Sequence, residues 1–181
     1  VFGGRYVTRE VTSQNLTVRI HAYAMARKNV LDTMPRLAEG IIRFYEQSLG
    51  PYPFDELDIV EVPEYGFGIA PSGMVLITTE AWNARQDAAT KLFSRGINSR
   101  LAHEIAHQWW AHQVIGGYVQ GATMMSETLA QYSALMVMKR TYGSRAMRKF
   151  LRYELDRYLR GRGNEKKKEL PLFRVEDQPY I

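Results

Sequence analysis

Cysteine is absent from the 181 residues. Disulfides therefore cannot hold the fold together, and thiolates cannot ligate a metal. The absence says little about compartment, because cysteine-free domains work on both sides of a membrane. No apolar run approaches the roughly 20 residues that a membrane span needs. No signal peptide is visible at the start, and the first residue is Val1 rather than methionine. The sequence thus reads as a piece excised or processed from something longer. Acidic residues are the minority, 19 against 24 Lys and Arg, which leaves a net charge of +5. Half of the basic residues fall between Lys139 and Lys168. Such a basic half can mark a nucleic-acid or anionic-membrane contact. No nucleic-acid-binding motif accompanies it, so it reads as a solvated helix and loop and no nucleic-acid partner is expected. Internal repeats and low-complexity segments are missing too. What remains is 45% hydrophobic and 24% charged, ordinary for one globular domain. A single domain is expected over 1–181, strand-rich over 1–80 and helical over 81–181.

Leu16, Val18, Ile20 and Ala22 alternate with Thr17, Arg19 and His21, the period of a half-buried strand. Leu31, Met34, Leu37, Ile41, Ile42 and Tyr45 recur at helical spacing and predict a helix over 30–49, ended by Gly50-Pro51. Pro35 is then expected in its first turn. Short strands are predicted at 57–62 and at 74–79, the latter carrying β-branched Val75 and Ile77. The Gly- and Pro-containing stretch 64–73 reads as a loop. Further helices are predicted at 88–93, from a cap at Asn98 or Ser99 to 114, at 124–142 with Gly143 as its stop, and at 144–159. A charged loop over 161–169 follows. Strands first and helices later predict an α+β domain.

Two of the four histidines stand four apart, in His103-Glu104-Ile105-Ala106-His107. On a helix that spacing is about 400°, which leaves the imidazoles about 40° apart on one face and about 6 Å apart along the axis. Both can reach one metal ion, and Glu104 projects beside them, placed to accept a proton from a water at that metal. A catalytic zinc takes three protein ligands and one open position. Between Glu104 and Glu154 the chain has a single acidic residue, Glu127. It lies near the start of the next predicted helix, after a turn containing Gly116, Gly117 and Gly121. A first-turn glutamate is favoured by the helix dipole in any case, but that does not explain why the only carboxylate stands there. His112 competes as third ligand. It follows His107 by five positions, about 500° around a helix, and so points away from the pair. The Gly and third His of the metzincin pattern are replaced here by Trp110 and Gln113. His21, on the polar face of a strand, is expected to be exposed. Gln131, one turn after Glu127, either accepts the second ring N–H of a liganding histidine or is a solvated helix residue.

His103 to Trp110, His-Glu-Ile-Ala-His-Gln-Trp-Trp, resembles the active-site helix of the aminopeptidase N family of gluzincins. The resemblance implies a fragment of a thermolysin-like zincin catalytic domain, one zinc ion, peptide substrates and hydrolysis with Glu104 as general base. It also implies a glutamate ligand one helix later, matched by Glu127 in Ser126-Glu127-Thr128-Leu129-Ala130. Nineteen residues separate His107 from Glu127, one more than the family's usual spacing, an excess that the turn can absorb. Gly50-Pro51-Tyr52-Pro53-Phe54 resembles the segment leading into the family's sheet. Phe67-Gly68 to Glu80 matches in length the stretch holding its Gly-Ala-Met-Glu-Asn motif, which implies that Gly68, Ile69 and Ala70 contact substrate. The resemblance runs from residue 37 onward.

Two departures matter. Pro71 and Ser72 stand where that motif has Glu and Asn. In the family the glutamate holds the substrate's free α-amine, so only weak dependence on a free N-terminus is expected. The family's catalytic tyrosine, in a Tyr-x-Lys-Gly context, is not found. Tyr180 stands near where it is expected but lacks the Lys-Gly, so residues 1–181 alone are expected to be a poor enzyme. More loosely, residues 126–138 are similar to bacterial members fused to membrane proteins of the transporter-permease type. That implies covalent continuation into further domains, membrane-embedded ones among them, and a membrane-associated location. The alternative is a non-catalytic, zinc-containing peptide-binding or accessory domain of a larger membrane protein.

Overall fold

Strand β2 (Leu16–Tyr23) buries every second residue, and Leu16, Val18, Ile20 and Ala22 on that face are at most 3% exposed. Helix α1 (Lys28–Leu49) covers it. Leu31, Met34, Ala38, Ile41, Ile42 and Tyr45 form its buried stripe, spaced as one face of a 3.6-residue helix requires. Burial of each large side chain contributes about 1.5–3 kcal/mol. The structure is a computed structural model and describes residues 4–23, 28–64, 68–79, 82, 97–164, 170, 171 and 174. The predicted helix at 88–93, the Asn98 side chain, Phe67, Glu80 and residues 178–181 with Tyr180 lie outside the described residues.

Strands β1 (Tyr6–Ser13), β3 (Glu56–Val62), β4 (Gly68–Ile69) and β5 (Met74–Thr78) complete a five-stranded sheet in the order β1-β2-β3-β5-β4. The β2–β3 and β3–β5 pairs are parallel, and the β1–β2 and β4–β5 pairs antiparallel. The central strand β3 is buried on both faces from Ile59 to Val62, as expected of a strand between parallel neighbours. After the sheet come α2 (Ile97–Ala106), a π-helical turn (Met124–Thr128) and α3 (Leu129–Asn164). Strands precede helices, and the described part is an α+β domain. Gly143, at φ 81° and ψ 170°, breaks α3 into two limbs, and Phe150 of the second packs back on Leu135 and Met138 of the first.

Several expectations are corrected. Pro35 lies well inside α1, because the helix begins at Lys28; its missing N–H leaves one helical hydrogen bond unmade. Strand β1, which no sequence period announces, is mostly polar and has no buried residue, as is common for an edge strand. Within the predicted loop 64–73, Gly68 and Ile69 form edge strand β4 opposite Ile77 and Leu76. Helix α2 stops at Ala106 rather than 114, and the second limb of α3 continues through 161–164. His21 is engaged rather than simply exposed, with Nε2 at 2.8 Å from Asp58 Oδ1 and Nδ1 at 3.1 Å from Thr8 Oγ1.

Candidate active site

Helix α2 is held from behind. Leu101, Ala102, Ile105 and Ala106 are fully buried. The Tyr45 hydroxyl donates to the Ala102 carbonyl at 2.8 Å, and the rings of Tyr45 and Tyr52 lie 5.6 and 5.7 Å from that of Trp109. The Trp109 indole N–H donates to the Gly50 carbonyl at 3.0 Å. With one face so anchored, the helix and the turn that follows it present His103, Glu104 and His107 on the other.

The two Nε2 atoms are 3.1 Å apart. Glu127 brings one carboxylate oxygen to each, Oε2 at 3.3 Å from His103 Nε2 and Oε1 at 3.5 Å from His107 Nε2. These three residues form a group whose ligand atoms could hold one metal ion. Each Nδ1 has its own acceptor, Gln131 Oε1 at 3.0 Å for His103 and the Trp110 carbonyl at 3.0 Å for His107. Donation from both Nδ1 atoms fixes the tautomer that leaves both Nε2 lone pairs facing the common point. His112 is elsewhere. Its Nε2 donates to the Ala70 carbonyl at 2.5 Å, and its Nδ1 lies 3.3 Å from Ser72 Oγ.

Glu127 sits in the π-helical turn. Such turns recur at functional sites, and one holds a residue more than an α-turn, which suits the longer spacing from His107. The first limb of α3 carries Gln131 onward from it, fixed to the turn after α2 by the Trp110 indole N–H, which donates to Ser133 Oγ at 2.9 Å.

The charges are coupled. Burial pushes the Glu104 carboxyl up to about 7; the Glu127 charge adds to this, while His103 and Arg100 oppose it. Burial alone would lower His103, but the hydrogen bond to Glu127, the Glu104 charge and Gln131 outweigh it and hold the imidazole above its ordinary value. His107 is lowered, by burial first and then by the neighbouring His103. Glu127 is lowered, chiefly by its hydrogen bond with His103. A buried carboxylate beside the imidazole pair is placed for proton abstraction. Gly68 of β4 lies directly against Glu104: a β-carbon built there would overlap Oε1 and stand 2.5 Å from Cδ. Ile69 follows on the sheet edge and is 49% exposed, and Ala70 lies just past the strand.

Three contributors carried no readable signal. The Trp110 carbonyl is backbone. Gln108 is wholly buried although its residue type suggests surface. Ala111, at φ 102°, occupies a conformation that favours glycine. That turn is closed by Ala111 N–H to the Val114 carbonyl at 3.0 Å and Val114 N–H to the Trp109 carbonyl at 2.8 Å, and it aims the Trp110 carbonyl at His107. Strain of this kind costs about 1–3 kcal/mol, partly offset by the entropy of glycine. Ala111→Gly is therefore expected to stabilise the full-length protein by about 1 kcal/mol, read as a higher urea midpoint at constant m. An unchanged or lower midpoint would show that the turn is unstrained.

Comparison with known proteins gives the family. The peptidase family M1 domain matches residues 35–178. Aminopeptidase 2 of Candida albicans is 28% identical over 109 residues, covering 59% of this chain and 12% of the relative. Tricorn protease-interacting factor F2 of Thermoplasma volcanium is 34% identical over 80 residues, 43% of this chain and 10% of that protein. Human endoplasmic reticulum aminopeptidase 1 is 28% identical over 100 residues, 54% of this chain and 11% of its own length. This chain thus spans about a tenth of such relatives. Among solved structures, Legionella pneumophila aminopeptidase A, in complex with aspartic acid, superposes with a TM-score of 0.61 at 16% identity, over 77% of this chain and 17% of that one, a likeness of fold. With the family match spanning most of the sequence, the chain belongs to peptidase family M1.

Proposed function

We propose that this chain supplies the metal site and general base of a zinc-dependent, aminopeptidase-like peptidase. The observation that carries the reading is the convergence of His103 Nε2, His107 Nε2 and the Glu127 carboxylate, with Glu104 beside them. Donor separations of 3.1, 3.3 and 3.5 Å match the edge of a tetrahedron, about 3.3 Å, whose bonds are about 2.0–2.1 Å. Two imidazoles and a carboxylate are a catalytic zinc set with one position left open, whereas structural sites use four protein ligands. Zinc held there supplies Lewis acidity, polarising the peptide carbonyl and lowering the pKa of water.

The chain's own residues do the rest. Glu104 accepts a proton from the attacking water and delivers it to the leaving amine. The edge of β4 at Gly68 and Ile69, with Ala70 beyond, offers backbone groups to an extended peptide, as an added strand would use them. Pro71 and Ser72, at the end of that edge, bring no carboxylate to a substrate's free amine, so we take the dependence on a free N-terminus to be weak. A larger protein continuing into membrane-embedded domains remains part of this reading.

The test is metal affinity in the full-length protein. Glu127→Ala should weaken zinc binding by more than about 100-fold, beyond the usual 10–100-fold effect of a residue that only supports a ligand. His112→Ala should change it by less than about tenfold. Equal losses from the two variants would mean that Glu127 is not the third ligand.

A further inference from the structure

The residue after His107 does something that metal binding does not require. Gln108 is fully buried on α2's continuation, and its carboxamide is spent on one turn of chain. Oε1 accepts from the Gly73 N–H at 2.8 Å, and Nε2 donates to the carbonyls of Pro71 at 2.9 Å and Met74 at 3.3 Å. This turn joins β4 to β5. It is closed by Met74 N–H to the Pro71 carbonyl at 3.0 Å and passes through Gly73 at φ 69°. A buried amide with all of its polar atoms engaged is a fixed joint, because breaking it strands groups that water cannot reach.

We propose that Gln108 is a positioning residue that fastens the peptide-receiving edge to the metal helix. Among the described residues, strand β4 is Gly68 and Ile69, paired with β5 through Gly68↔Ile77 and Ile69↔Leu76. These two pairs hold register only weakly. Yet Gly68 must stay against Glu104, where a single β-carbon would collide. Gln108 supplies the missing constraint from one residue past a ligand, so the edge and the metal site move as one body. His112 grips the same connection from the more exposed side, through the Ala70 carbonyl and Ser72. A peptide then finds its edge already ordered. Without the carboxamide the turn is loose, and ordering it is charged against binding.

This inference rests on the peptidase reading above, and the experiment separates the two. Gln108→Met keeps the length of the side chain and removes all three hydrogen bonds; Gln108→Asn keeps the amide but cannot reach, and serves if the methionine variant does not fold. In the full-length protein each is expected to bind zinc as the wild type does. The Gly73 amide should exchange about 100-fold faster. KM for an oligopeptide should rise about tenfold, the cost of ordering about one residue, with kcat within about threefold. An unchanged KM alongside the faster exchange would overturn the proposal, as would losses that track zinc content. A wild type that hydrolyses no peptide would count against the peptidase reading alone. The positioning role would then stand or fall on the Kd of the same oligopeptide with a reduced scissile amide, which must also rise about tenfold.

Discussion

Peptide hydrolysis by the Glu104→Gln protein is expected to fall by about 100- to 10,000-fold, while its zinc content stays at the wild-type level. Glutamine keeps the shape of the side chain, so the fit against Gly68 survives. What it loses is the basicity that lets the carboxylate take water's proton. Burial pushes the Glu104 carboxyl up to about 7, whereas a cation at the imidazole pair would draw it down and keep the base ionised at neutral pH. A glutamine cannot be tuned in either direction. Because the side chain is not among the convergent ligand atoms, removing its charge should not release the metal. The measurement is kcat together with metal analysis of the purified full-length variant. Near-normal turnover with zinc bound would show that another group takes the proton.

Gly68→Ala should produce a loss of comparable kind by a different route, about 100-fold in kcat/KM. The added methyl cannot coexist with the present position of the Glu104 carboxylate. Glu104 is 6% exposed, so it has little room to swing aside, and either the carboxylate or the strand must shift. A displacement of about 1 Å is enough to cost two orders of magnitude in a positioned reaction. The metal ligands lie on other atoms and should be untouched. Zinc content therefore stays constant while turnover drops, and a crystal structure of the variant should show the carboxylate rotated. Activity within about twofold of wild type would mean that the edge is more pliable than its neighbours suggest.

The parts of this protein that were legible in the sequence are those in which a periodic signal meets a chemical one. Four-residue spacing makes two imidazoles neighbours on any helix, and a lone glutamate across nearly fifty residues draws attention whatever the fold. Strands β2, β3 and β5 and helix α1 announce themselves because one or both of their faces are buried. Strand β1 does not, since its residues are mainly polar and its pairing comes from β2 rather than from a core of its own. Strand β4 escapes notice because its described residues, Gly68 and Ile69, carry no period. Gln131 is ambiguous in the sequence because a helix surface and a supporting hydrogen bond use the same residue type. Gln108, the Trp110 carbonyl and Ala111 act through tertiary placement, which no local pattern encodes.

An α-helix is a screw, and each added residue rotates everything beyond it by about 100°. The π turn at Met124–Thr128 confines such an addition to one loop of the thread. Downstream, Ala130, Ala134 and Val137 still meet the main core, and Ser133 still meets the Trp110 indole. A change of one residue in this stretch can exchange one kind of turn for another and leave the thread beyond it in phase. The distance in sequence between the histidine pair and its partner carboxylate can thus change by one residue without altering the bearing of α3 on α2.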